Sequence, residues 1–133
     1  MSFRTHSPKL SYLHVPSALD AVTGARREVV AIVRDWGLPL TRETIETLEL
    51  LAGEVIANAV VHTGDGCRVT VSWDGARVRL EAEDVTDGLL PQRVPTDLDA
   101  ESGRGLQLVD GLARSWGCRP TETGKAVWFE VGG

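Results

Sequence analysis

A chain of 133 residues has the length of one domain. Hydrophobic residues make up 42% of it and charged ones 25%, an ordinary balance for a soluble globular fold with one core. The net charge of −5 and a pI near 5.1 exclude binding of nucleic acid through a broad basic face.

The opening residues Met1–Lys9 lack the apolar run of a secretory signal, and no later stretch approaches the ~18 apolar residues of a membrane span. The expectation is a cytoplasmic protein without membrane contact. Leu10–Pro16 has β-like composition and stops at a proline, which predicts a first strand. Beyond Ser17, residues Ala18, Ala21, Val22, Ala25, Val29, Ile32 and Val33 recur at helical spacing as far as Trp36-Gly37. Thr41 suits an N-cap, with Glu43 and Glu46 near the positive end of the next helix. Ile45, Leu48, Ala52, Val55, Ile56 and Ala59 then trace an apolar stripe to about His62, and Thr63–Gly66 ends it.

A hairpin follows. Cys67, Val69, Val71 and Trp73 alternate with Arg68, Thr70 and Ser72; Asp74-Gly75 marks a tight turn; Val78, Leu80 and Ala82 alternate with Arg77, Arg79, Glu81 and Glu83. Residues 86–102 hold no period and carry Pro91, Pro95, Asp87, Asp97, Asp99, Glu101 and the single basic Arg93. A loop of this length in a small domain reads as a lid or binding loop, or as disorder. Gly103-Arg104-Gly105 opens a third helix through Leu106, Leu108, Val109, Leu112 and Ala113, with Trp116-Gly117 as its expected stop. Two strands, about Cys118–Glu122 and Ala126–Val131, close the chain. Cys67 and Cys118 have no metal or redox spacing and read as small apolar core residues in a reducing compartment. The sum is an α/β (α+β) two-layer sandwich in one domain, residues 1–133. It places three main helices on one face of a mixed, mainly antiparallel sheet of about five strands.

A few residues break these patterns. Glu54, Asn58 and His62, spaced four apart, form a polar stripe beside core positions Val55 and Ala59. They are either the margin of a solvated face or a site. In the second case Asn58 offers an oxygen to a hard cation such as Mg2+, and Glu54 can orient or deprotonate a nucleophile. Asp84 continues the buried stripe Val78, Leu80, Ala82 unless the strand ends first. A carboxylate at the bottom of an apolar pocket is costly alone and is a good acceptor for an exocyclic amine such as adenine N6. Gly103-x-Gly105 at a helix start can admit phosphates, although a lone GxG is weak. No GxxxxGK[ST] is present, and Leu108 breaks GxGxxG, which excludes a P-loop and leaves a Rossmann site unsupported.

Order and spacing together are more specific. Glu54-x-x-x-Asn58-Ala59 on a helix precedes a hairpin ending in Asp84-x-x-x-Gly88, then a lid, then Gly103-Arg104-Gly105-Leu106 opening a helix, then a last strand. This arrangement resembles the GHKL superfamily of gyrase, heat-shock protein 90, histidine kinases and MutL, over about residues 10–131. Within it, the stretches Gly53–His62 and Gly103–Val109 resemble the small anti-sigma-factor serine/threonine kinases, stand-alone regulators of actinobacteria. The resemblance implies a Bergerat-type ATP-binding fold with ATP and Mg2+ as cofactors. It implies Glu54 as general base, Asn58 as magnesium ligand, and Asp84 as adenine reader. Gly88 would pass close to the base, Gly103 with Gly105 would cradle the phosphates, Arg104 would add charge near the β- or γ-phosphate, and Leu106 belongs to the same cofactor-binding stretch. The implied partners are an anti-anti-sigma (STAS-type) protein and a sigma factor, with a homodimer and no direct nucleic-acid contact. Thr86 and Ala126 depart from the superfamily pattern, at a glycine and at a hydroxyl residue of the last strand respectively. With the acidic lid, they predict weaker ATP binding and put turnover in more doubt than binding. Two other readings stay open: an ATP-dependent binding module without catalysis, and an interaction protein without nucleotide.

Overall fold

Alternation of apolar and polar residues builds the sheet, and the computed structural model describes residues 7–61, 66–84, 107–122 and 124–132 of it and its helices. Strands β1 (Lys9–Val15), β2 (Cys67–Trp73), β3 (Val78–Asp84), β4 (Ser115–Pro120) and β5 (Lys125–Val131) line up in the order β1-β2-β3-β5-β4. Every neighbouring pair is antiparallel, so the expected mainly antiparallel sheet is antiparallel throughout its described strands. Helices α1 (Leu19–Asp35) and α2 (Arg42–Val61), with helical residues 107–112 (α3), complete a two-layer α+β sandwich.

The registers set the inner face as cross-strand rows. Ser11, Val71, Leu80, Phe129 and Trp116 form one row, and Leu13, Val69, Ala82, Val127 and Cys118 form the next. On these rows α2 lies over β2, β3 and β5, while α1 packs against α2 and β1. Leu48, Leu51, Ala52, Val55 and Ile56 of α2 and Val29 and Val33 of α1 are buried between the layers. Fully burying such a side chain contributes about 1.5–3 kcal/mol.

Local chemistry fixes the ends of these elements. The Thr44 N–H donates to Thr41 Oγ1 at 3.0 Å, the expected N-cap of α2. Asp74 Oδ1 accepts from the N–H groups of Ala76 and Arg77, both at 2.8 Å, and shapes the β2–β3 turn. Gly66 enters β2 with φ +86°, and a Cβ there would meet the Val15 carbonyl oxygen at 2.3 Å. Only glycine passes.

Two expectations change. The third helix ends at residue 112, and Trp116-Gly117 belongs to β4 instead of stopping a helix. Strand alternation explains both residues. Trp116 faces inward opposite Phe129 and donates its indole N–H to Asp110 at 2.8 Å, while Gly117 faces outward beneath the Trp128 ring. Cys118 is exposed near the edge, whereas Cys67 is buried as expected; both are free thiols. The outer face is polar around Trp128. The Arg79 guanidinium stacks 4.1 Å from its ring centre and pairs with Glu130 at 3.5 Å, and Arg119 pairs with Glu81 at 2.7 Å. No helix among the described residues is long and apolar enough to cross a membrane.

Candidate functional site

The two ends of the sheet differ in chemistry. At one end, Gly132 packs near Leu40 and Thr44, which puts the start of α2 beside the end of β5. A cavity of about 340 Å³ opens there, lined by Glu43, Thr44, Thr47, Gly111, Leu112, Arg114, Val131 and Gly132. None of the sequence-predicted site residues that the structure describes, Glu54, Asn58 and Asp84, lines it. From that end α2 runs for 20 residues, about 30 Å, so its last turns reach the opposite end of the strands.

At that opposite end the inner face finishes in the row Val15, Cys67, Asp84. Asp84 is paired with Cys67 inside β3, so the strand does not stop at Ala82. Among the described residues it is the only buried charged side chain, 7% exposed. Burial pushes its carboxyl up to about 6, with Lys125 pulling it down and Glu83 adding to the rise. The Cys67 thiol is driven to about 12 by burial and by the neighbouring Asp84 charge. Gly124 lies against Asp84: a Cβ there would sit 3.3 Å from Asp84 Cβ and 3.9 Å from Oδ2. The backbone of the β4–β5 turn thus walls one side of the carboxylate. The Thr121 N–H closes this turn by donating to the Gly124 carbonyl at 2.9 Å.

Glu54 and Asn58 come from the last third of α2. One flank of that helix is covered by α1, where Arg26 crosses Gly53; a Cβ on Gly53 would be 3.0 Å from Arg26 Cδ. Glu54 and Asn58 are half-buried and sit roughly 100–140° around the helix from Gly53, on the flank that α1 leaves open. Thr47, two turns before Glu54 on that flank, shares the far cavity with Gly111, Leu112 and Val131. The open flank therefore faces α3 and β5. By the length of α2, Glu54 and Asn58 lie toward the same end of the molecule as Asp84.

Gly88, Gly103, Arg104, Gly105, Leu106 and His62, with the 86–102 loop, lie outside the described residues. Ala126, expected at the hydroxyl position of the last strand, is buried but on the outer face, opposite Glu83. The inward residue at this level is Lys125, which sequence reading passed over. Its signal was present: counting back by twos from Phe129 through Val127 reaches Lys125, not Ala126.

The donor set suits an adenine nucleotide at its base end. A half-closed carboxylate among apolar residues, with glycine backbone close beside it, can accept from an exocyclic amine. Among the described residues no group of three or more His, Cys, Asp or Glu gathers as a metal site. Mg2+ needs only one or two protein oxygens when phosphates supply others, a part that Asn58 fits. No curated protein shows a significant match to the chain. The family model for the histidine kinase-like ATPase domain matches residues 15–131, nearly the whole described sandwich from the end of β1 to the end of β5. The chain therefore belongs to the histidine kinase-like ATPase domain family, whose fold is an ATP-binding one.

Proposed function

We propose that the protein is an ATP- and Mg2+-dependent regulator of the anti-sigma-factor kinase type. It transfers a phosphoryl group to a serine or threonine of an STAS-type anti-anti-sigma partner and so controls a sigma factor by exchange of partners, in the cytoplasm and as a homodimer. The observation that carries the nucleotide reading is the buried Asp84 carboxylate, walled by Gly124 at the end of the sheet that α2 reaches with Glu54 and Asn58. The family match supports ATP; the kinase branch rests on the Gly53–His62 and Gly103–Val109 stretches of the sequence.

Each residue then has one task. Asp84 accepts the N6–H of adenine, and its ionised form is the better acceptor. Asn58 gives its amide oxygen to Mg2+, which when bound with ATP supplies the charge neutralisation that phosphoryl transfer requires. Glu54 takes the proton of the partner's hydroxyl. Gly103 and Gly105 receive the phosphates, Arg104 adds charge beside them and Leu106 completes the set, in the stretch just before helical residues 107–112 in the sequence. Positioning supplies most of the rate.

The test is transfer of labelled γ-phosphate to an STAS-domain protein, with Glu54→Ala beside the wild type. Transfer by the wild type and a loss of 100-fold or more in the variant is expected for a positioned base. Equal rates would remove Glu54 from the mechanism, and no transfer to any STAS protein, with ATP still bound, would reduce the protein to a nucleotide-gated binding module.

A further inference from the structure

The β3–β5 register pairs Ala82 with Val127 and Glu83 with Ala126, and the next residue of each strand beyond that last pair is Asp84 on β3 and Lys125 on β5. Lys125 is in turn paired with Pro120 of β4. At this end of the sheet the pairs are Val15, Cys67 and Asp84 on one side and Lys125 and Pro120 on the other, an acid and a base at the same end of neighbouring strands β3 and β5. By strand alternation both belong to the face that holds α2, whose last turns carry Glu54 and Asn58 toward this end. We propose that Lys125 is a base-reading residue of the nucleotide site, its ammonium donating to N1 of the adenine whose N6 amino group Asp84 accepts. This rests on the nucleotide reading above and adds to it a specificity-determining residue.

Three observations support the placement. The Lys125 charge acts on Asp84, whose carboxyl it pulls back toward the ionised form, and also on the Cys118 thiol, which faces inward from β4. Lys125 is thus within electrostatic reach of both groups, and strand alternation from Phe129 through Val127 puts it on the inner side of β5. Gly124, next to it in sequence, leaves the space beside the Asp84 side chain clear of a Cβ. Arg79 and Arg119 of the outer face are engaged with Glu81 and Glu130.

The chemistry of the pair then sets the choice of base. Adenine presents an amino donor at C6 next to an acceptor at N1, complementary to a carboxylate beside an ammonium. A 6-oxopurine presents the reverse, an acceptor at C6 and N1–H, so oxygen meets carboxylate and N–H meets ammonium. Both contacts turn repulsive. Lys125 therefore enforces adenine over hypoxanthine and guanine in addition to what Asp84 contributes alone.

Calorimetric titration of ATP, 1-deaza-ATP and ITP into wild type and Lys125→Met tests this. The methionine keeps an unbranched stem and removes the donor. Wild type should bind ATP roughly tenfold or more tightly than 1-deaza-ATP, the worth of one charged hydrogen bond. Lys125→Met should bind the two alike and show a smaller preference for ATP over ITP. A wild type that does not distinguish ATP from 1-deaza-ATP overturns the proposal without any variant, and so does a Lys125→Met protein that keeps the full wild-type preference. In either case ATP binding itself leaves the nucleotide reading standing. A wild type that binds none of the three removes both.

Discussion

Asp84 is a buried charged residue at the end of an apolar row. Its carboxyl titrates near 6 in the fold against about 3.8 in an unfolded chain, because burial disfavours the charge more than Lys125 supports it. Both forms are protonated below the unfolded value, and there the residue contributes nothing to the pH dependence. As pH rises from about 4 through 6, the unfolded chain ionises first and the empty fold loses stability, on the order of 3 kcal/mol across the window. Urea titrations of the ligand-free protein between pH 4 and 7.5 should show that decline, and Asp84→Asn should flatten it. An unchanged slope in the variant would assign the titration to another group. Adenine binding follows the opposite sense: it should weaken as pH falls below about 6 and the acceptor becomes protonated.

At the scale of elements, α2 places the site by its ends. Its start is capped by Thr41 beside the end of β5, and its length carries Glu54 and Asn58 toward the end of the sheet where Asp84 lies. Thr41→Ala should cost about 1 kcal/mol in chemical denaturation, the usual value of an N-cap. Gly66→Ala should do far more damage, since a Cβ would lie 2.3 Å from the Val15 carbonyl oxygen in a backbone of φ +86°. Its thermal midpoint should fall by 10 °C or more, and a near-native midpoint would mean that the entry to β2 relaxes freely. The long stripes of α1 and α2 and the β2–β3 hairpin were legible in the sequence because each has an uninterrupted period and a turn signal at its end. The third helix was misread at its end because Trp-Gly resembles a helix stop, and only pairing with Phe129 and Trp128 turns those two residues into a strand. Asp84 was legible as an extension of Val78, Leu80 and Ala82. Lys125 was not, because the strand start was set one residue late and attention fell on Ala126, whose side chain is on the other face.

For the whole molecule, one sheet divides two environments: an outer face of paired charges around Trp128 and an inner face that is apolar until its last row. A charged residue buried at the end of the apolar layer is the kind of local break expected where binding overrides packing. Phe129, fully buried at the centre of the sheet, serves as the contrasting position. Phe129→Ala should cost about 3–5 kcal/mol and lower stability at every pH without a specific effect on nucleotide choice. The most direct test of the central claim is calorimetric titration of ATP with Mg2+ into wild type and Asp84→Asn at pH 7.5, with thermal melts of both. The account predicts that the wild type binds, that the variant loses tenfold or more in affinity, and that the variant melts at the same or a higher temperature. Equal ATP affinity in the two proteins would contradict it.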